Sequence, residues 1–279
     1  MKRLLFLAAA SLLYVNANAQ VIPVKVEQNE SGYYLTRGGE PYYVNGAGGS
    51  TYLDEVLEAG GNSIRTWAAN EAGSILDEAH AKGLSVMFGL WVGHERHGFD
   101  YNDEEAVAKQ LERFTNIVKK YKDHPAILLW GIGNEVDLFY SNTKVWDAIQ
   151  DIAKMVHEID PNHPTTTVTA GLDKKEVELI MEKVPDLDIY SVNTYGEISD
   201  VPDNLPKYGW KGPWMITEWG PTGHWEVQKT TWGVPLEQSS KEKANIYTER
   251  YTKYIKDYKG KCIGSYVFLW GQKQETTST

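Results

Sequence analysis

Cysteine is almost missing from this chain of 279 residues, which has one, Cys262. One thiol excludes an internal disulfide, so the fold must be held by its core alone. Cys262 sits in an apolar run and reads as a small buried hydrophobe. No glycine-rich phosphate turn follows any apolar run, which ranks a doubly wound open sheet below other α/β folds. Basic excess is missing too. The net charge is −10, with no patch to neutralise phosphates, so neither nucleic acid nor an anionic membrane surface is an expected partner. A neutral sugar fits this charge better than a strongly acidic polysaccharide does. There is no internal repeat, low-complexity tract or Pro/Ser-rich linker. Phenylalanine is scarce, with 6 residues against 10 Trp and 17 Tyr. Aromatics with a polar edge suit surfaces that stack on sugars and also hydrogen-bond to them, although part of them must pack the core.

The one long apolar run lies at the start. Met1-Lys2-Arg3 is a positive segment, and Leu4 to Val15 is apolar but too short to span a bilayer. Ala17-Asn18-Ala19 is a small-x-small cleavage signal. Residues 1–19 therefore read as a secretory signal peptide, cut near Ala19, and residues 20–279 as one exported domain, periplasmic or extracellular. No cysteine lies near the cut, which disfavours a lipid anchor.

Past that point, short apolar runs alternate with amphipathic segments. A hairpin is expected from Val24 to Val44, leading into a first barrel strand, with seven more strands after it. Strands are expected at 63–67, 84–91, 126–132, 165–169, 188–193, 214–217 and 263–270. Helices are expected at 71–82 (capped by Asn70), 103–122, 143–159 (capped by Ser141 or Asn142), 174–184 (capped by Asp173) and 241–259 (capped by Ser240). Between the sixth and seventh strands a short turn or loop is expected. Eight strands separated mostly by helices argue for a (β/α)₈ barrel with an N-terminal β-hairpin. Few residues follow Trp270, so the last helix reads as missing or truncated. In such a barrel, residues at the C-terminal strand ends carry the chemistry.

Two glutamates stand at such ends. Glu135 closes the run from Ile127, and Glu218 closes Trp214-Met215-Ile216-Thr217. Each is followed by a break. Two carboxylates facing one mouth, in a chain rich in tryptophan, make the arrangement that glycosidic bond cleavage requires. His94 and His97 have chelating spacing, but no third ligand follows at a recognisable distance, so no metal is expected.

Gly133-Asn134-Glu135 and Ile216-Thr217-Glu218-Trp219-Gly220 resemble the acid/base and nucleophile motifs of the retaining glycoside hydrolases of clan A. The stretch from Gly61 to Trp91 is most similar to the family 2 catalytic barrel, with family 5 also similar. Gly61-Asn62-Ser63-Ile64-Arg65-Thr66 and Leu76-Asp77-Glu78-Ala79-His80-Ala81-Lys82-Gly83-Leu84 carry that likeness, which extends over residues 33–271. The resemblance implies Glu135 as acid/base, Glu218 as nucleophile, no cofactor and a β-linked glycan as substrate. It implies that Arg65 holds Glu218 ionised, that Asn134 binds the sugar 2-hydroxyl and that Tyr195 donates to the nucleophile. Trp270 would form the sugar-stacking floor, and Trp91, His94 and Trp219 are further candidates for sugar contact. Trp225 and Trp232 lie in a long segment expected to cover part of the mouth. A transglycosidase using the same two glutamates and a silent carbohydrate-binding barrel remain alternatives.

Overall fold

The computed structural model describes residues 20–271. The expected signal peptide, 1–19, lies outside the described residues, as does 272–279, where the question of a last helix falls.

Three short strands come first: β1 (Val24–Asn29), β2 (Gly32–Arg37) and β3 (Glu40–Tyr42). They form an antiparallel sheet in that order. The expected hairpin gains a third strand because Gly38 and Gly39 take positive φ, 62° and 88°, and turn the chain back to pair Leu35 with Tyr42. This sheet closes the N-terminal end of the barrel. Val24 N–H donates to Asn162 O (2.8 Å), Arg37 Nη2 to Pro125 O (2.8 Å) and Tyr42 Oη to Asn62 O (2.7 Å). All three acceptors lie just before barrel strands, so the opposite end is left for a ligand.

The barrel strands are β4 (Val44–Gly48), β5 (Ser63–Arg65), β6 (Ser85–Leu90), β7 (Ile127–Ile132), β8 (Thr165–Ala170), β9 (Ile189–Asn193), β10 (Trp214–Trp219) and β11 (Cys262–Val267). All neighbours are parallel and β11 pairs with β4, closing an eight-stranded barrel. Every residue of β6, β7 and β10 is buried, as strands covered on both faces require. Between them run α1 (Leu53–Glu58), α2 (Ala72–Ala81), α3 (Glu104–Tyr121), α4 (Lys144–Ile159), α5 (Lys174–Lys183), α6 (Val201–Lys207) and α7 (Ser240–Arg250). Helix α4 shows why they pack. Val145, Trp146, Ile149, Ile152, Ala153 and Val156 make one buried stripe at helical spacing.

The helix starts follow side-chain capping where it exists. Asp103 accepts from Ala106 N–H, and Asp173 from Lys175 and Glu176 N–H. Ser239 rather than Ser240 caps α7, in a reciprocal pair with Glu242. Asn70 does not cap α2: Glu71 takes that place in a left-handed conformation with no side-chain bond. Thr143 precedes α4, while Asn142 Oδ1 accepts from Lys144 N–H (3.1 Å). The expected loop between β9 and β10 contains α6, whose Pro202 sits in the first turn, where a missing N–H removes no helical bond.

One irregularity sets the site. The register of β10 against β9 slips between Ile216 and Glu218, so Met215 pairs with Ser191, Ile216 with Val192 and Glu218 with Asn193. Strict alternation from the inward Met215 would turn Glu218 outward. The bulge inserts Thr217 and brings Glu218 back into the mouth.

Candidate active site

Strand β7 ends at Ile132, and Gly133 (φ 78°) and Glu135 (φ 50°) then turn the chain over the barrel mouth. Glu135 N–H donates to Val168 O (2.8 Å), which fixes this turn to β8. Two residues on, the half-buried Asp137 carboxylate accepts twice from Ala170 N–H (3.0 Å each). Burial pushes the Asp137 carboxyl up to about 7.

Arg65 closes β5 and is buried. Its Nη1 donates to Glu218 Oε1 (3.1 Å), Thr217 O (2.7 Å) and Asn193 Oδ1 (3.1 Å), and its Nη2 to Asn134 Oδ1 (2.6 Å). Tyr195 Oη donates to the other oxygen of Glu218 (3.1 Å). Arg65 and Tyr195 thus converge on Glu218, and Asn134 is joined to it only through Arg65. The residues that sequence reasoning missed lie among them. Trp67 Nε1 donates to Glu218 Oε1 at 2.8 Å. Asn193 accepts from Thr217 Oγ1 (3.0 Å), and its Nδ2 donates to Asn134 Oδ1 (3.0 Å) and Glu135 Oε1 (2.9 Å). One buried amide therefore ties the two glutamates together. A polar residue closing the apolar run Ile189–Val192 was the available signal for Asn193. For Trp67 the signal was the expected strand 63–67, on which residues two apart share a face and Trp67 follows Arg65.

The charges balance. Arginine stays protonated in such sites, so the buried Arg65 guanidinium compensates one carboxylate. Burial raises the pKa of Glu135, against the Asn193 hydrogen bond and with the help of the Glu218 charge. The pair is therefore one ionised carboxylate held by three donors and one carboxyl biased toward its proton. Asn134 is set as well. Its Oδ1 accepts from both Arg65 and Asn193, which assigns the amide orientation and leaves Nδ2 for a ligand.

The aromatic candidates divide. Trp91 is 37% exposed and its ring lies 4.7 Å from that of His94. His94 is buried, and burial lowers its pKa. Its Nε2 lies 2.6 Å from Asn134 O, so the neutral ring donates there and holds the Asn134–Glu135 backbone, with no face left for a sugar. Trp219 is 6% exposed and packs against Tyr247 and Tyr251. With Glu218 facing in, its strand neighbour must face out. Trp270 donates Nε1–H to Tyr52 O (3.2 Å) and lines a groove behind the barrel wall with Trp219, Tyr247 and Tyr251. Phe268 instead lies edge-on to Trp67 (5.8 Å) and Tyr195 (6.2 Å), the two rings that donate to Glu218. The chain turns after β11 ends at Val267, so strand parity does not carry to Trp270.

The family model "Glycosyl hydrolases family 2, TIM barrel domain" matches residues 66–224. A β-glucuronidase of Paenibacillus borealis is 26% identical over 168 residues, covering 57% of this chain and 27% of that protein. A mannan endo-1,4-beta-mannosidase F of Aspergillus clavatus is 24% identical over 180 residues, covering 47% of this chain and 41% of that protein. The chain thus spans less than half the length of these relatives. Among solved structures, a β-glucuronidase of Ruminococcus gnavus superposes with TM-score 0.68 at 15% identity, over 92% of this chain and 47% of its own. A family 5 mannosidase of Rhizomucor miehei superposes with TM-score 0.64 at 14% identity, over 88% of this chain and 85% of its own. Both share the barrel fold.

Proposed function

We propose, for a chain that belongs to the glycosyl hydrolases of family 2 through its TIM barrel domain, that it hydrolyses β-glycosidic bonds with retention of anomeric configuration. The observation that carries this reading is the Arg65–Asn134–Asn193 network joining Glu135 to Glu218.

In this reading Glu135 protonates the leaving oxygen while Glu218 attacks the anomeric carbon. Oε1 of Glu218 already accepts from Arg65 and Trp67, whereas Oε2 accepts from Tyr195 alone. Oε2 keeps the freer lone pair and is the attacking atom. Attack turns the carboxylate into an ester and removes its negative charge. Glu135, now ionised and no longer facing that charge, takes a proton from water, which attacks the anomeric carbon and releases the sugar. Asn134 Nδ2 binds the sugar 2-hydroxyl, a contact that strengthens as positive charge grows on the ring. The substrate class is a β-linked glycan. The relatives' names, glucuronidase and mannosidase, bracket an acidic and a neutral unit, and the chain's negative charge favours the neutral one. The test is turnover of a panel of β-linked aryl glycosides and polysaccharides by the protein and by Glu135→Gln/Glu218→Gln. Turnover that survives the double substitution sinks the proposal.

Trp67 enters as a positioning residue. Trp67→Phe removes one of three donors to the nucleophile, and hydrogen bonds to charged groups contribute about 1.5–3 kcal/mol. The expected loss is about tenfold to hundredfold in kcat/KM, carried by kcat. A rise in KM at unchanged kcat would contradict this role.

Export belongs to the same reading, from the charged start, apolar run and Ala17-Asn18-Ala19 of the sequence. Expressed in a secreting host, the mature protein should begin at Gln20. An uncut, cytoplasmic product argues against it.

A further inference from the structure

We propose that Trp225 forms the platform of a second sugar subsite beside the catalytic one, so that the substrate is a chain of two or more β-linked sugars. This rests on the glycosidase reading above and adds the length of the substrate to it.

Trp225 is 57% exposed, which is unusual for so large an apolar side chain unless something covers it. Its position is not accidental. The indole meets the Tyr195 ring edge-on, with centroids 5.3 Å apart and planes at 90°. Tyr195 in turn donates to Glu218 Oε2. One ring therefore separates the exposed indole from the attacking atom, and a glycan held at Glu218 passes beside it.

The segment carrying this indole is clamped. Glu226, the next residue, accepts from Gly196 N–H with both oxygens (3.0 Å each) and from Gly223 N–H (2.8 Å). That carboxylate ties the loop after β10 to the residue following Tyr195. Arg250 on α7 donates Nη2–H to Thr222 Oγ1 (2.9 Å) and Nη1–H to Gly220 O (2.5 Å). Two glycines make the geometry possible. A Cβ on Gly223 would lie 2.5 Å from the Trp225 ring, and one on Gly196 would lie 3.0 Å from the Glu226 carboxylate. Glycine at both positions lets the indole and the clamp come this close. A tryptophan that served only the core would be buried. One that is half bare, held by charge-assisted bonds to backbone and set one ring from the nucleophile has the properties of a preorganised stacking surface. The indole offers an apolar face with a polar edge, which matches the alternating C–H and hydroxyl faces of a pyranose.

The test compares two substrates of the same sugar, an aryl monoglycoside and a β-linked oligosaccharide series, in the wild type, Trp225→Ala and Trp225→Tyr. Trp225→Ala is expected to lower the ratio of kcat/KM for oligosaccharide over aryl glycoside about tenfold, the upper range of an aromatic stacking contact. Trp225→Tyr keeps a ring there and should recover most of that ratio. An unchanged ratio in Trp225→Ala, whether both activities fall together or neither does, overturns the subsite. Failure of the glycosidase reading looks different: the wild type then turns over neither substrate.

Discussion

Glu218→Gln is expected to abolish turnover, with kcat lower by on the order of 10⁴-fold or more, while the protein stays folded. The amide is isosteric with the carboxylate: with its oxygen in the Oε1 place it still accepts from Trp67, and its NH2 can donate to the Tyr195 hydroxyl, which turns from donor to acceptor. What is lost is the anion that forms the ester bond. Arg65 then lacks its compensating charge in a buried place. Breaking such a pair by removing one partner costs about 3–5 kcal/mol when nothing relaxes. Glu135 offers relief here, because its carboxyl can ionise in place of Glu218. The melting temperature should therefore fall less than the unrelieved figure implies. Activity assays and thermal melts check the two halves separately. Retained kcat would show that Glu218 does not form the covalent bond.

Glu135→Gln carries the second large effect. General acid and base catalysis contributes about 10²–10⁴-fold, and the loss should depend on the leaving group. Aglycones that need protonation should lose the full factor. Activated aryl glycosides, which leave as stable phenolates, should still form the glycosyl-enzyme and then stall, because no base activates water. The pH dependence gives an independent sign. The pKa of Glu135 is raised above the usual carboxylate value, first by burial. The acid form therefore persists to higher pH, and kcat/KM falls as pH rises through that raised value. On this reading the alkaline limb of the wild-type profile is that of Glu135 and should vanish in Glu135→Gln. A limb that persists unchanged in the variant assigns the acid to another group.

Much of this site was readable before any coordinates. Apolar runs ending in Glu135 and Glu218 marked strand ends, because a barrel strand is buried on both faces until it reaches the mouth. Arg65 and Tyr195 came from the family resemblance. The partners lost to the sequence are those whose placement depends on side-chain direction. Trp67 lies two residues past Arg65 and shares its face by strand parity, but β5 stops at Arg65, and the reach of the indole to Glu218 depends on a strand distant in sequence. Asn193 was visible as a strand-end polar residue, but its bridging role needs three strands at once. The Trp219 expectation failed on a rule the sequence did offer: neighbours along a strand face opposite ways, so an inward Glu218 sends Trp219 outward. The same rule applied from Met215 would have misplaced Glu218 itself, since the bulge at Thr217 resets the phase. Trp270 was assigned by its place near a strand end. The strand stops at Val267, and Phe268 takes the inner position instead. Helix α6 was hidden by Pro202 and Pro206, which read as breakers although the first is welcome in an opening turn.

The most direct test of the account is the configuration of the sugar released first. Wild-type enzyme and its best β-linked substrate are followed by proton NMR within the first minutes, before the anomers equilibrate. Two inversions at one carbon, through Glu218, predict that the β anomer appears first and the α anomer grows in by mutarotation. Release of the α anomer first would mean a single displacement by water, with Glu218 as a base rather than a nucleophile, and would contradict the mechanism drawn from Glu135 and Glu218.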